Sequence, residues 1–298
     1  MIDVLLATYN GEKYLEAQLY SLLWQTHKDW RLIVHDDGST DNTVAIIKNF
    51  QKIDNRIILI EDGIKCGGAA KNFLHLLSMP SSSDYFIFCD QDDIWFESKL
   101  SDLRNCFVDD IPKAVFCNGY SYSIDKGIIS DKITSVFPKR LEDQLFLNAG
   151  IQGCSLMFNK ALKDKMGNLP NNQAMHDHFV TLFAVTFGEL SYLPKNLMLY
   201  RQFHEGKATA NIDSSISKRL KSEIPIIDRK HFEATLIFYK HYFNVLSDKQ
   251  KSLFEEYFRY SKSNSMLEKI SIILKNDFNI YGKSYMLLLK TILRKTIN

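Results

Sequence analysis

The stretch Asp90-Gln91-Asp92-Asp93-Ile94-Trp95 gathers three carboxylates at the end of an apolar run, Tyr85-Phe86-Ile87-Phe88-Cys89. Such a run, bounded by Ser81-Ser82-Ser83-Asp84, reads as a buried strand. The carboxylates repel one another, and a hard divalent cation with oxygen ligands offsets that repulsion. Asp90 and Asp92 stand two apart, so in extended chain they point to one side and suit one cation bridging a phosphorylated ligand. The plain alternative is that Asp93 N-caps a helix starting near Ile94, with Asp90 and Asp92 as solvated loop charges.

Two more polar clusters end apolar runs. Ile2 to Ala7 breaks at Thr8-Tyr9-Asn10-Gly11, and Trp30 to His35 leads into Asp36-Asp37-Gly38-Ser39-Thr40-Asp41. Ligands of α/β sheets sit beyond the carboxyl ends of the strands, so the three clusters are expected to converge on one crevice. A nucleoside diphosphate would account for them. Tyr9 would wall the base or else be a core aromatic. Asp37 would accept the base's imide N–H while Asp36 holds the loop, with helix capping the alternative for both. Asp90 would bind ribose hydroxyls and Asp92 the cation.

The elements that must position these clusters follow from periodicity. Strands are predicted over 2–7, 30–35, 56–60 and 85–89, with a fifth starting at 114. Helices are predicted over 12–25, 43–51, 69–77 and 94–108, and the alternation implies parallel β-α-β units with right-handed crossovers. Beyond residue 118 the pattern loosens. A hairpin turns at Asp125-Lys126-Gly127, a helix spans 141–149, and a strand spans 154–158. A loop covers Asn168-Leu169-Pro170-Asn171-Asn172, an amphipathic helix runs from His176 to Phe187, and a strand over 190–200 is interrupted by Pro194. From Asp213 the chain reads as mostly helical.

A chain of 298 residues with 45% hydrophobic content can bury a sizeable core, in one large domain or two modest ones. Charge is unevenly placed. Residues 1–210 hold 21 Lys and Arg against 26 Asp and Glu, whereas residues 211–298 hold 16 against 9. An acidic body with a basic tail suggests two roles. Cysteines 66, 89, 106, 117 and 154 form no C-x-x-C pair, which reads as reduced thiols of a cytosolic protein. The N-terminus has no basic n-region, and no apolar run approaches the length of a spanning helix.

Ala7-Thr8-Tyr9-Asn10-Gly11, with Tyr14-Leu15, Ser21-Leu22 and Gln25-Thr26, resembles the opening of family 2 glycosyltransferases. Asp36 to Thr43 is similar to that family's second motif, and Asp90-Gln91-Asp92-Asp93 with Trp95 to its D-x-D motif. Order and spacing agree for all three, over roughly residues 1–207. The resemblance implies a GT-A fold: a Rossmann-like α/β nucleotide-sugar-binding domain with a mixed sheet, extended by C-terminal helices. The implied divisions are a domain over 1–210, with a nucleotide-binding half (1–117) and an acceptor-binding half (118–210), then a helical basic region over 211–298.

By position, the resemblance implies that Thr8, Tyr9, Asn10 and Glu12 line the nucleotide. Asp37 would bind the base, Asp90 and Gln91 the ribose region, and Asp92 Mg²⁺ or Mn²⁺. Gly67 to Phe73 is similar to a further nucleotide-contacting loop, which brings Lys71 to the base or phosphate; an exposed helix lysine is the alternative. Asp177, within His176-Asp177-His178, takes the place of the catalytic base; a helix cap is its alternative. The two histidines, two apart on a helix, diverge and suit no shared ion. Leu199 to Gly206 resembles a Y-R-Q-H-G segment of bacterial rhamnosyltransferase-like members, with Phe203 inserted before the histidine. Arg201 would then offset phosphate charge, or pair with an acidic residue. His204 would reach the metal or diphosphate, one position out of step. Gly153 and Cys154 would lie at the acceptor side, and Trp95 would be a sugar platform or a core tryptophan.

Tyr285 to Lys295 reads as a basic amphipathic helix that lies on an anionic membrane surface, packs on the main domain, or forms a dimer contact. Nucleic acid is disfavoured by the acidic body. The expectation is a metal-dependent, inverting glycosyltransferase facing the cytosol, peripheral on the inner face of the membrane. It would move a sugar from dTDP-rhamnose or a UDP-hexose to a saccharide acceptor, lipid-linked, in surface polysaccharide synthesis. The alternatives are a nucleotide-sugar-binding protein without turnover and a nucleotidyltransferase, although residues 8–12 offer no glycine-rich basic phosphate loop.

Overall fold

Side chains that alternate along β1 (Ile2–Thr8) sort the molecule into two layers about one sheet. In the computed structural model, which describes residues 1–148, 150–170, 174–202 and 225–297, Ile2, Val4 and Leu6 enter one core and Leu5 the other. β4 (Tyr85–Asp90) does the same, with Ile87 and Cys89 on the first side and Phe86 and Phe88 on the second. This is the two-residue period of a strand buried on both faces.

The sheet runs β3 (Ile57–Ile60), β2 (Trp30–Asp36), β1, β4, β8 (Leu156–Asn159), β6 (Lys113–Ser123), β9 (Glu189–Arg201) and β5 (Ile94–Trp95), with β7 (Gly127–Ser130) hairpinned onto β6. β3, β2, β1 and β4 are parallel. β8 is antiparallel to both β4 and β6, and β6 is parallel to β9. The sheet is therefore mixed, as the GT-A expectation required. Helices α1 (Leu15–Leu23), α2 (Thr43–Ile53) and α4 (Lys99–Arg104) cover the first face. On the second face lie α3 (Ala69–Ser78), α5 (Leu141–Gln144), α6 (Lys160–Met166) and α7 (His176–Phe187).

Three local expectations need correction. The predicted helix over 94–108 is split: Ile94–Trp95 pairs antiparallel with Met198 and Leu199, and helix begins only at Lys99. Asp93 is accordingly no N-cap; its carboxylate accepts the backbone N–H of Arg201 at 3.0 Å. Pro194 does not interrupt the strand over 190–200, because the β6–β9 register shifts between Phe116 and Asn118 and a residue without an N–H is accommodated there. The predicted helix over 141–149 is one turn, Leu141–Gln144.

The C-terminal helices α8 (Arg229–Tyr242), α9 (Asp248–Lys262), α10 (Met266–Asn276) and α11 (Ser284–Leu293) pack on the body. Their Phe238, Phe254, Tyr257, Tyr260, Ile273 and Leu287 share one core with Phe179 and Phe183 of α7. Tyr242 Oη donates to the Met166 carbonyl at 2.8 Å, and Arg140 bridges to Asp277 at 2.8 Å. α11 thus buries Leu287 and Thr291 but leaves Tyr285, Ile292 and Leu293 exposed beside Lys290. Among the described residues no helix is long and apolar enough to cross a membrane.

Candidate active site

Register places three predicted positions side by side. Thr8 lies opposite Asp36 across β1 and β2, and Ala7 lies opposite Asp90 across β1 and β4. The loops leaving these strand ends are then laced together. Thr8 Oγ1 donates to Asp36 at 2.7 Å, and Asp36 also accepts the N–H groups of Gly38 and Ser39. Asp36 therefore holds the loop, as the sequence suggested. Asn10, in the left-handed region at φ 46°, accepts from the Thr40 N–H at 2.9 Å. Glu12 accepts from the Asn42 N–H at 2.8 Å, and the Gly11 N–H donates to Thr43 Oγ1 at 2.7 Å. Thr8, Asn10 and Glu12 are thus engaged in the hydrogen bonds that lace these loops together. Tyr9 differs, with its side chain 56% exposed.

Asp37 is tied to the 66–68 loop. Its oxygens accept the N–H groups of Cys66, Gly67 and Gly68, the last two at 3.0 and 2.8 Å. Gly67 and Gly68 both have positive φ, a conformation that favours glycine and turns these N–H groups inward. A carboxylate has about four acceptor directions, so Asp37 retains capacity for a further donor. Lys71, in the first turn of α3, is exposed next to this loop.

Gln91 locks the third loop to the first. Its Oε1 accepts from the Tyr9 N–H at 2.9 Å and its Nε2 donates to the Tyr9 carbonyl at 3.0 Å. The amide lies against Gly11, where a Cβ would overlap it. Asp90, Asp93 and Cys154 bring their ligand-capable atoms within 4.8 Å of one another. Asp92 is buried one residue away, and its carbonyl accepts from Arg201 Nε at 2.8 Å. Carboxylate oxygens suit a hard cation such as Mg²⁺ or Mn²⁺, whereas the cysteine sulfur does not. The donor set thus fits such an ion through its aspartates, with Asp93 joining Asp90 in the cluster. His204, the other expected ligand, lies outside the described residues, as does Phe203.

Arg201 is buried. Its guanidinium lies 4.2 Å from the Tyr14 ring centroid and 4.8 Å from that of Tyr122. Held between two rings and bonded to the Asp92 carbonyl, it fixes the acidic turn from behind. Trp95 is likewise a core residue, 3% exposed, and offers no open face to a sugar.

Asp177 arrives from the second half of the chain, on the first turn of α7. Its carboxylate accepts the N–H groups of His178 and Gly153. Burial of the carboxyl raises its pKa to about 6, and the backbone N–H groups of His178, Gly153 and Asp177 itself only partly oppose that. Gly153 opens the short 3₁₀ turn Gly153–Ser155, and the next residue, Cys154, contributes the sulfur beside Asp90 and Asp93. One turn therefore joins the base-like carboxyl to the acidic cluster. His176 packs between Phe73 and Phe88 with both ring nitrogens lacking a hydrogen bond among the described residues. Burial pushes its pKa down to about 3, so it is neutral packing beneath Gly153. His178 is also buried, against His231, and diverges from His176 as expected.

Two members of this assembly were not anticipated. Tyr14 stacks on Arg201. Lys99 is fully buried, with Nζ donating to the Cys154 carbonyl at 2.7 Å and lying 3.8 Å from the Trp95 ring centroid. It braces the 153–155 turn from below. Its signal in the sequence was its spacing: Lys99 and Leu103, four apart, share one helix face.

Residues 3–165 match the family model described as glycosyl transferase family 2. The chain is 34% identical over 220 residues to the dTDP-rhamnosyl transferase RfbG of Shigella flexneri, covering 70% of this chain and 74% of that protein. It is 26% identical over 242 residues to the UDP-Glc:alpha-D-GlcNAc-diphosphoundecaprenol beta-1,3-glucosyltransferase WfaP of Escherichia coli, covering 80% and 92%. Among solved structures, S. aureus TarS 1–349 in complex with UDP-GlcNAc superposes with a TM-score of 0.60 at 18% identity, covering 92% of this chain and 78% of that one. At that identity the likeness is one of fold.

Proposed function

The chain belongs to glycosyl transferase family 2, and from that premise we propose that this glycosyltransferase acts by inverting transfer from a nucleoside-diphosphate sugar. The donor is dTDP-rhamnose or a UDP-hexose, and the acceptor is a saccharide carried on lipid, as in surface polysaccharide synthesis. The names of RfbG and WfaP support these two classes of donor, and that of WfaP supports a diphospholipid-linked acceptor.

The observation that carries the reading is the Gly153 turn, which bonds to Asp177 and places Cys154 against Asp90 and Asp93. A carboxyl of pKa about 6 is ionised near neutrality yet retains proton affinity, as a general base requires. In the proposed step Asp177 takes the proton of an acceptor hydroxyl while that oxygen attacks the anomeric carbon. The bond from that carbon to the diphosphate oxygen breaks, and the configuration inverts in a single displacement. Asp92, with Asp90 and Asp93 beside it in the same acidic turn, would hold Mg²⁺ or Mn²⁺, whose charge, when bound, would stabilise the leaving diphosphate. Tyr9 walls the base, Asp37 accepts from it, and Lys71 approaches the phosphates. Thr8, Asn10, Glu12, Gln91 and Arg201 shape the pocket from behind. Residues 1–117 form the donor half and residues 118–210 the acceptor half, with Gly153 and Cys154 at their junction. The basic tail seats the enzyme on the inner membrane surface.

The test is a thermal-shift panel of nucleotide sugars, each with and without Mn²⁺, followed by product analysis with a lipid-linked acceptor. One nucleoside-diphosphate series should stabilise the protein, with a metal-dependent part lost in Asp92→Ala. Donor binding without turnover on any lipid-linked saccharide would leave a binding protein instead, and formation of a nucleotide sugar with release of pyrophosphate from a nucleoside triphosphate and a sugar 1-phosphate would indicate a nucleotidyltransferase.

A further inference from the structure

A second cluster lies where the end of β2, the loop at Asp62 and α3 meet. His35, at the end of β2 and 1% exposed, places Nδ1 2.6 Å from Asn72 Oδ1. The Asn72 amide cannot turn around, because its Nδ2 donates to the His35 carbonyl at 3.1 Å. Asn72 Oδ1 is therefore an acceptor, and His35 Nδ1 carries the proton. That leaves Nε2 facing Asp62 Oδ1 at 3.3 Å. In the neutral ring this nitrogen is a bare lone pair aimed at a carboxylate oxygen. The other oxygen of Asp62 lies 2.7 Å from His75 Nε2. The two imidazoles meet edge to face at 4.7 Å between centroids, and the ligand-capable atoms of all three residues lie within 4.8 Å of one another.

A cation resolves the opposed lone pairs. We propose that His35 Nε2, His75 Nε2 and Asp62 form a binding site for a transition-metal ion of the Zn²⁺ class, separate from the aspartates of the donor turn. Two imidazoles and a carboxylate are a Zn²⁺ donor set, and Zn–N bonds of about 2.0–2.1 Å put tetrahedral ligand atoms roughly 3.3 Å apart. His35 and Asp62 already have that spacing. Imidazoles disfavour Mg²⁺ and Mn²⁺, so the two sites sort different metals. Asn72 fixes the tautomer of His35, the outer-shell role that metal-bound histidines need. His75 and Asp62 retain 22% and 27% of their side-chain exposure, which leaves a fourth position open to solvent. Asp62 heads the loop whose Cys66, Gly67 and Gly68 N–H groups hold Asp37. An ion there ties that loop to β2 and α3 and stiffens the wall that carries Asp37.

The experiment uses the full chain after chelator treatment, titrated with Zn²⁺ alone by calorimetry and with Co²⁺ alone by visible absorption. It reads binding only, so it succeeds or fails independently of the transferase reading. The expected result is saturable binding of one equivalent per chain and a Co²⁺ spectrum typical of four coordination. His75→Gln and Asp62→Asn, at partly exposed positions where the fold tolerates change, should each weaken binding about tenfold or more, whereas Asp92→Ala should leave it intact. Absence of saturable Zn²⁺ binding would overturn the proposal. So would equal affinity in His75→Gln, or loss of the bound ion in Asp92→Ala. Long-range ¹H–¹⁵N spectra showing His35 doubly protonated at pH 7.5 with Zn²⁺ present would replace the site by an imidazolium–carboxylate pair.

Discussion

The backbone N–H of Gly153 donates to the carboxyl of Asp177, while the space where a Gly153 side chain would begin is filled by the His176 ring. One small residue thus lets a strand-leading turn, a buried imidazole and a base-like carboxyl meet.

Gly153→Ala should therefore disturb both packing and chemistry. The added methyl overlaps His176, which is itself wedged between Phe73 and Phe88 and has little room to move. Overpacking of this kind costs about 1–3 kcal/mol, read as a lower urea midpoint. Transfer should fall further than stability. Combining it with His176→Ala should recover part of the stability, because the second change removes the overlapping ring; a fully additive pair would contradict the clash.

The raised pKa of Asp177 sets a pH dependence. As the proposed base it must be ionised, so log kcat/KM should rise with unit slope up to pH about 6 and then level off. Asp177→Asn should remove turnover while leaving donor binding. The stability effect has the opposite sense. The folded pKa lies above the ordinary value of 3.8, so this group's contribution to stability is complete below 3.8 and lost as pH rises through about 6. At pH 8 the Asn variant should melt no lower than the parent and could gain at most on the order of 2–3 kcal/mol. A stable, inactive Asp177→Asn protein supports a functional carboxylate. A marked drop in melting temperature would reassign Asp177 to a structural role.

Arg201 gives a prediction about positioning. Its guanidinium lies between the Tyr14 and Tyr122 rings, and Nε donates to the Asp92 carbonyl. Arg201→Ala forfeits a desolvated cation–π contact and a charged hydrogen bond, together about 2–4 kcal/mol in chemical denaturation. Arg201→Lys keeps the charge but not the planar stack or the Nε donor, and should recover only a minor part of it. In both variants the metal requirement of donor binding should shift, since the 90–93 turn loses its support.

The exposed side of α11 predicts behaviour at a membrane surface. Ile292 and Leu293 are 59% and 53% exposed, with Lys290 on the same helix and Arg294 and Lys295 following it. Sedimentation with anionic vesicles should be salt-dependent and should fall strongly in Ile292→Asp/Leu293→Asp, with soluble-donor binding unchanged. Equal sedimentation of parent and variant would remove α11 from any membrane role.

Much of this site was legible from residue order. Apolar runs ending in polar clusters placed Thr8, Asp36 and Asp90 at the carboxyl ends of adjacent strands, because two-residue alternation and β-α-β connection leave little choice of register. The split of residues 94–108 was not legible. Asp93 reads as a helix cap by local rules, and only β9, about a hundred residues later, supplies the Arg201 N–H that overrides it. The burial of Trp95 and Arg201 was likewise not legible, since a lone tryptophan or arginine does not declare which of its neighbours will bury it. Lys99 was missed for the same reason.

The sequence by itself determined the parallel half-sheet, the family motifs and the residue types able to hold a nucleotide sugar, because each depends on local period and short spacing. Only the tertiary structure decided which turns and side chains each carboxylate meets. Asp177 bonds to the Gly153 turn whose Cys154 lies against Asp90 and Asp93, and Asp62 meets two histidines from different elements. Those encounters are set by how β8, α3 and α7 pack on the sheet, and packing at long range leaves no period in the chain.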